Sequence, residues 1–189
     1  HNMVDNVIFS PRANLRFNPT QNINLRLSYS SGFRAPQAFD EDMHIENVGG
    51  TVAMIERAKD LKEEKSQSFS VSADMYHRFG AFQTNLLIEG FYTRLTDVFV
   101  LGKPYDRGDG ILVKTRSNGP GAKVMGLTLE GKVAYLSILQ IQAGLTLQRS
   151  RYDEPHKWHD DAPAEKKIFR TPDTYGYFTA TCTPIKPLS

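Results

Sequence analysis

Apolar and polar residues alternate along most of this chain with a period of two, the pattern of strands that show different surroundings to their two faces. In the stretch 9–17, Phe9, Pro11, Ala13, Leu15 and Phe17 share one face while Ser10, Arg12, Asn14 and Arg16 share the other. The stretch 23–33 repeats the rule, with Ile23, Leu25, Leu27 and Tyr29 opposing Asn24, Arg26, Ser28 and Ser30. Phe69, Val71, Ala73 and Met75 are set against Ser68, Ser70, Ser72 and Asp74 within 67–77. Stretches 82–101, 123–135, 138–150 and 173–182 complete a predicted set of about seven strands. One segment departs from this period. Between Thr51 and Glu64, Val52, Ile55, Ala58 and Leu61 recur at helical spacing and predict a packed loop helix.

The connections between these strands alternate in length. Asn18–Asn22, Arg78–Ala81 and Leu136–Ser137 read as tight turns, whereas 34–65, 102–121 and 151–170 are long and polar. A barrel threaded through a membrane has two such rims, because one faces a ligand-bearing exterior and the other is closed by minimal hairpins. The tight turns are therefore expected to gather at one end and the long loops at the other. Most of the strands reach the roughly 9–11 residues that a tilted strand needs to cross a bilayer. Arginines on the polar faces of 9–17 and 23–33 would be costly in a dry core and suit a watery lumen. Phe17, Tyr76, Phe79, Phe82 and Tyr135 lie beside the tight turns, where an interfacial girdle belongs. Aromatic residues favour strands in general, but these sit at strand ends rather than along them.

Composition narrows the function class by exclusion. A formal charge of +2 over 189 residues gives no reason to expect nucleic acid as a partner. The single cysteine, Cys182, allows no intrachain disulfide and no CxxC pair, and is expected to be a buried or strand-borne thiol. No run of about 18 or more apolar residues is present, so a helical membrane span is excluded.

The order of short motifs carries a family resemblance. Ser10-Pro11-Arg12 opening one strand, and Leu27-Ser28-Tyr29-Ser30-Ser31-Gly32-Phe33-Arg34-Ala35-Pro36 closing the next, resemble a stretch of TonB-dependent outer-membrane receptors. Leu61-Lys62-Glu63-Glu64-Lys65-Ser66 is similar to the family's lead-in to the following strand, with Glu63 in place of the usual proline. Asn118, Ala122, Val124 and Gly126-Leu127-Thr128-Leu129-Glu130 resemble another of its strands, with Thr128 where a glutamate is common. Arg170-Thr171-Pro172 resembles the opening of a late strand. The resemblance runs from about Phe9 to Pro184. It implies an all-β fold, an antiparallel up-and-down meander forming part of a large outer-membrane β-barrel. It also implies import of a scarce nutrient in the outer membrane of a Gram-negative cell, with no enzymatic activity and no cofactor. The plug and the TonB-contacting segment are expected to lie outside this chain, so TonB would be reached only through a missing N-terminal part. Among ligands, the wording Phe39-Asp40-Glu41-Asp42-Met43-His44-Ile45 looks most like receptors for ferric siderophores, with cobalamin and glycan importers as alternatives. A plug-less porin or adhesin barrel, or a soluble β-sandwich binding module, are the readings from other classes.

Candidate chemistry is confined to the long loops. Arg34, His44, Trp158 and His159 are the expected ligand contacts, since concave sites rely on a few polar and aromatic anchors. The expected partners are a small molecule such as a metal chelate, and outer-membrane lipid around the wall. Asp153, Glu154, His156, His159, Asp160 and Asp161 crowd one loop and include metal-ligating types. A solvated acidic loop is the preferred reading there, because loop residues lack the rigid support that metal ligands need. Gly108-Asp109-Gly110 and Asn118-Gly119-Pro120-Gly121 precede no predicted helix and read as turn punctuation. No nucleophile, base and orienting group can be assembled into a catalytic set.

Overall fold

The structure, a computed structural model, describes residues 8–36, 53–108, 112–136, 138–156, 164–168 and 171–183. Its strands are β1 (Arg12–Thr20), β2 (Ile23–Arg34), β3 (Ala53–Arg57), β4 (Glu64–Phe79), β5 (Phe82–Thr96), β6 (Phe99–Leu101), β7 (Tyr105–Asp106), β8 (Leu112–Asn118), β9 (Ala122–Tyr135), β10 (Leu139–His156), β11 (Glu165–Lys167) and β12 (Thr174–Cys182). The seven long strands pair in the order β1-β2-β4-β5-β9-β10-β12, every contact antiparallel. Short β11 adds to the same edge of β10 nearer the long-loop end. The result is an antiparallel up-and-down meander.

Register turns the sequence alternation into two continuous surfaces. Leu15, Leu27, Val71, Gly90, Leu127, Leu147 and Thr174 are successive partners across the sheet, and Phe17, Leu25, Ala73, Ile88, Leu129, Leu145 and Gly176 form the next row. On the other face Arg26, Ser72, Glu89, Thr128, Thr146 and Tyr175 make one such row. Burial is inverted relative to a water-soluble protein. Leu27 and Val71 are 52% and 59% exposed, while Thr146 and Ser150 are 6% and 1% exposed. Among the described residues nothing covers the apolar side, and a bilayer is the solvent that makes such a face stable.

The tight connections gather at one rim. The backbone N–H of Tyr76 donates to Asn22 O at 2.8 Å, tying the first hairpin to β4, and Leu136 N–H donates to Ala81 O at 3.0 Å, joining the second hairpin to the third. Gly80 and Leu136 carry these turns at φ of 57° and 50°. Beside them the rings of Phe79 and Phe82 stack at 5.4 Å, and Phe82 meets Tyr135 at 4.9 Å, so three of the five expected girdle residues form a contiguous band, whereas Tyr76 turns to the polar face and bonds Asp74. A second band appears ten residues up β4 and β5, where Phe69 and Tyr92 are register partners, and Tyr29 of β2 joins it 4.7 Å from Phe69. Ten residues span about 33 Å of strand at ~3.3 Å each. At a tilt of ~40° the two bands stand about 25 Å apart along the membrane normal, the height of an outer-membrane apolar belt.

The long-loop end differs from the sequence reading in two ways. Residues 53–57 form a strand instead of a helix: β3 pairs in parallel with β8 from Ala53↔Leu112 to Arg57↔Arg116. The stretch expected as one strand over 82–101 breaks after Thr96, where Asp97 takes a φ of 55° and β6 turns away to pair with β8. With β7 these make a separate four-stranded sheet in the order β3-β8-β6, β7 also pairing β8. Cys182 is strand-borne and exposed.

Candidate functional site

The polar face of the wall and the small sheet above it meet at the long-loop rim. Arg34 ends β2 on the polar face, as register partner of Glu64. Its guanidinium lies 5.6 Å from the centre of the Phe99 ring. Glu64 Oε2 accepts the Phe99 N–H at 3.1 Å, so the side chain and backbone of one β6 residue are gripped by a cross-strand pair of the wall. This is what seats the loop sheet on the strands.

Asn118 is the second tie. Its Nδ2 donates to Asp97 O at 2.8 Å and to Lys62 O at 3.0 Å, and its Oδ1 accepts the Lys62 N–H at 2.7 Å. One amide thereby joins the chain before β4, the end of β5 and the end of β8. Val113 and Arg116 of β8, the strand that pairs with the other three of the small sheet, are buried at 0% and 4% exposure. Three residues after Asn118, Gly121 runs so close to its neighbours that a Cβ would meet Leu95 O at 2.6 Å. Gly126 is constrained likewise, since a Cβ there would meet Leu147 O and the Phe91 ring at 2.6 Å.

Below the rim the inner wall is a hydrogen-bonded polar surface. Ser68 and Thr93 hydroxyls lie 2.9 Å apart, Thr128 and Thr146 3.1 Å apart, and Gln142 Nε2 donates to Tyr177 Oη at 2.8 Å. Asp74 accepts from Tyr76 Oη at 2.7 Å and from Asn85 Nδ2 at 2.5 Å. Such a surface suits contact with water and polar solutes. Among the described residues no group of three or more histidine, cysteine or carboxylate side chains is placed to hold a metal ion.

At the rim two carboxylates are held ionised by neighbouring cations. Glu63 lies below its ordinary value of 4.5, first through a hydrogen bond from its own backbone and then through Lys65, 3.0 Å away. Asp173, just before β12, lies below 3.8 chiefly because Lys167 Nζ donates to it at 2.7 Å, with Arg151 and Arg149 adding to the field.

Of the residues expected to contact ligand, Arg34 stands on the lumen side of the rim. His44, Trp158 and His159 lie outside the described residues, as do Asp160 and Asp161. Asp153 of the acidic loop takes part in ion pairs with Arg94 at 3.3 Å and Lys123 at 3.7 Å. Phe99, Glu64 and Asn118 were not singled out as rim contacts by sequence reasoning, because their partners are 21 to 65 residues away. The visible signals were the two motifs that contain Glu64 and Asn118.

Residues 2–181 match the family model described as "TonB dependent receptor-like, beta-barrel". No curated protein matches the chain in sequence. Two solved structures of the FrpB iron transporter from Neisseria meningitidis are similar in fold. The F3-3 variant has a TM-score of 0.56 at 19% identity, over 76% of this chain and 20% of its own. The F5-1 variant has 0.57 at 18% identity, over 90% of this chain and 26% of its own. The chain therefore spans about a fifth to a quarter of these transporters.

Proposed function

Because this chain belongs to the TonB-dependent receptor β-barrel family, whose members are transporters of the Gram-negative outer membrane and not enzymes, we propose that it forms part of the wall and outer rim of a receptor that binds a ferric siderophore outside the cell and admits it through the lumen. The observation that carries this reading is the pair of opposed faces, apolar and exposed outside, polar and hydrogen-bonded inside, closed at one rim and bearing a built sheet at the other. A wall of this kind separates lipid from a water-filled passage. The likeness to structures described as iron transporters, together with the wording of 39–45, supports an iron chelate over cobalamin or a glycan. Arg34 is the contact proposed from the described residues, a fixed cation on the lumen side where an anionic chelate would arrive. His44, Trp158 and His159 are proposed with it. Energy would come from TonB through a part of the receptor beyond this chain.

The test uses the full-length receptor in a Gram-negative strain stripped of its own ferric-chelate receptors. Uptake of labelled iron from siderophores should appear, require TonB, and fall several-fold with Arg34→Ala while surface expression stays normal. Uptake of cobalamin or an oligosaccharide with no iron uptake would replace the ligand class. Uptake that persists without TonB would favour a plug-less porin.

A further inference from the structure

The apolar side of the wall ends abruptly in charge. One register step above the Phe69–Tyr92–Met125–Arg149 row, the same outward face reads Gln67, Arg94, Lys123, Arg151 and Lys167 across β4, β5, β9, β10 and β11. Arg149 and Lys166 join them. These six cationic side chains share two carboxylates. Asp153 contacts Arg94 and Lys123, and Asp173 contacts Lys167 at 2.7 Å and Arg151 at 3.9 Å. Among the described residues these six cations and two carboxylates leave an excess of four positive charges. Its heads remain open to the outside, with Arg94, Lys123 and Lys167 side chains 47%, 41% and 47% exposed. Glu165 stands farther along, opposite His156 and beyond the irregularity in the β10–β11 pairing.

Two hollows meet at this place. A cleft of about 380 Å³ lies among Lys123, Arg149, Arg151, Asp153 and Lys166. Directly below it a trough of about 810 Å³ opens on the apolar face, walled by Phe69, Val71, Tyr92, Leu127 and Leu147. Its floor is Gly90, where the row of side chains between Val71 and Leu127 is interrupted. Met125 and Arg149 line both hollows. A charge on the lipid side costs about 2–4 kcal/mol at the midplane and roughly 0–1 near an interface. The cation row, one step above the upper aromatic band, therefore marks the height of the headgroups of the outer leaflet.

We propose that this surface is a binding site for a lipid carrying phosphate on its headgroup, with phosphate oxygens in the Lys123–Arg149–Arg151 cleft and an acyl chain lying in the trough over Gly90. Charge complementarity selects the headgroup, since guanidinium groups hold phosphate oxygens bidentately. The adjoining trough selects a lipid over a free ion. The inference rests on the membrane-spanning reading of the wall.

The experiment uses the full-length receptor purified in detergent, with bisphosphorylated lipid A and its phosphate-free counterpart as probes in native mass spectrometry. The phosphorylated lipid should bind at least tenfold more tightly than the phosphate-free one, and inorganic phosphate should not displace it. Arg149→Gln combined with Arg151→Gln should abolish that preference. Gly90→Leu should weaken both lipids by filling the trough. Gly90 accepts a side chain without backbone strain, since its φ is not in the left-handed region and a Cβ there would have only Val71 Cγ1 nearby, at 3.7 Å. Each variant is first checked for the heat-modifiable gel mobility of a folded barrel. Equal binding of the two lipids by the unmutated receptor would overturn the site, as would an unchanged preference in the folded double variant. A receptor that fails to insert into bilayers at all would overturn the wall reading itself, a separate and recognisable outcome.

Discussion

At the scale of single residues, the two faces of β2 make opposite demands on charge. In β2, Leu27 lies five residues above the tight turn that ends at Asn22 and Leu25 only three, so Leu27 is the deeper of the two in the apolar belt. Leu27→Arg in the intact receptor should cost about 2–4 kcal/mol, Leu25→Arg somewhat less, and Ser28→Arg on the lumen face almost nothing. Urea titration of barrels folded into bilayers measures all three, and equal costs at 27 and 28 would contradict the assignment of faces. This alternation was fully legible in the sequence because a side-chain period of two survives any register that pairs like faces. The ties at the rim were not, because a hydrogen bond between Asn118 and Lys62 leaves no periodic trace. Asn118→Ala removes three hydrogen bonds at a part-buried site, a loss of about 1–3 kcal/mol. It should speed proteolytic cleavage in 97–121 while leaving the gel mobility of the barrel intact.

At the scale of elements, the errors of sequence reading fall where pairing is long-range and strands are short. Val52, Ile55, Ala58 and Leu61 have helical spacing, yet β3 is held by a parallel partner 59 residues away, and tertiary pairing outweighs a weak local preference. The break in β5 has a similar origin. Asp97 alone is a weak turn signal within an apolar run, and it is Asn118, whose Nδ2 donates to Asp97 O, that fixes the chain there. The attachment of β11 is different, since it depends on charge. Asp173 is ionised more readily in the folded protein than in the unfolded chain, so the stabilisation is present above the unfolded value of 3.8 and is lost as pH falls through the lower folded one. The protection of 165–167 against hydrogen exchange, relative to the intrinsic rate at each pH, should therefore be unchanged from neutral pH down to mildly acidic conditions and should fall only below that value. Asp173→Asn should produce the same fall at neutral pH, and salt should reproduce part of it.

At the scale of the whole molecule, what makes this sheet a membrane wall is the coincidence of three heights. The lower band of Phe79, Phe82 and Tyr135, the upper band of Tyr29, Phe69 and Tyr92, and the cation row one step farther are each continuous across strands that are distant in sequence. Local pattern revealed the lower band, because it borders tight turns. The upper band was hidden, because its residues lie in the interior of long strands and align only when register is known. The edges carry the same logic. Neither β1 nor β12 has a further partner among the described residues, and both are exposed along their length, which is tolerable in a closed barrel and hazardous in an isolated sheet. A depth series along β9 tests the arrangement directly. With Cys182 replaced by serine, spin labels at 125, 127, 129, 131, 133 and 135 in the bilayer-inserted receptor should report increasing contact with lipid-dissolved oxygen up to 129 and 131 and a decline beyond. Labels at 128 and 130 should instead be relaxed by a water-soluble reagent, because they face the lumen. A profile that rises steadily from 125 to 135, or one in which odd and even positions behave alike, would mean that the bands do not mark the two membrane interfaces, and the wall, its passage and its lipid site would all lose their common foundation.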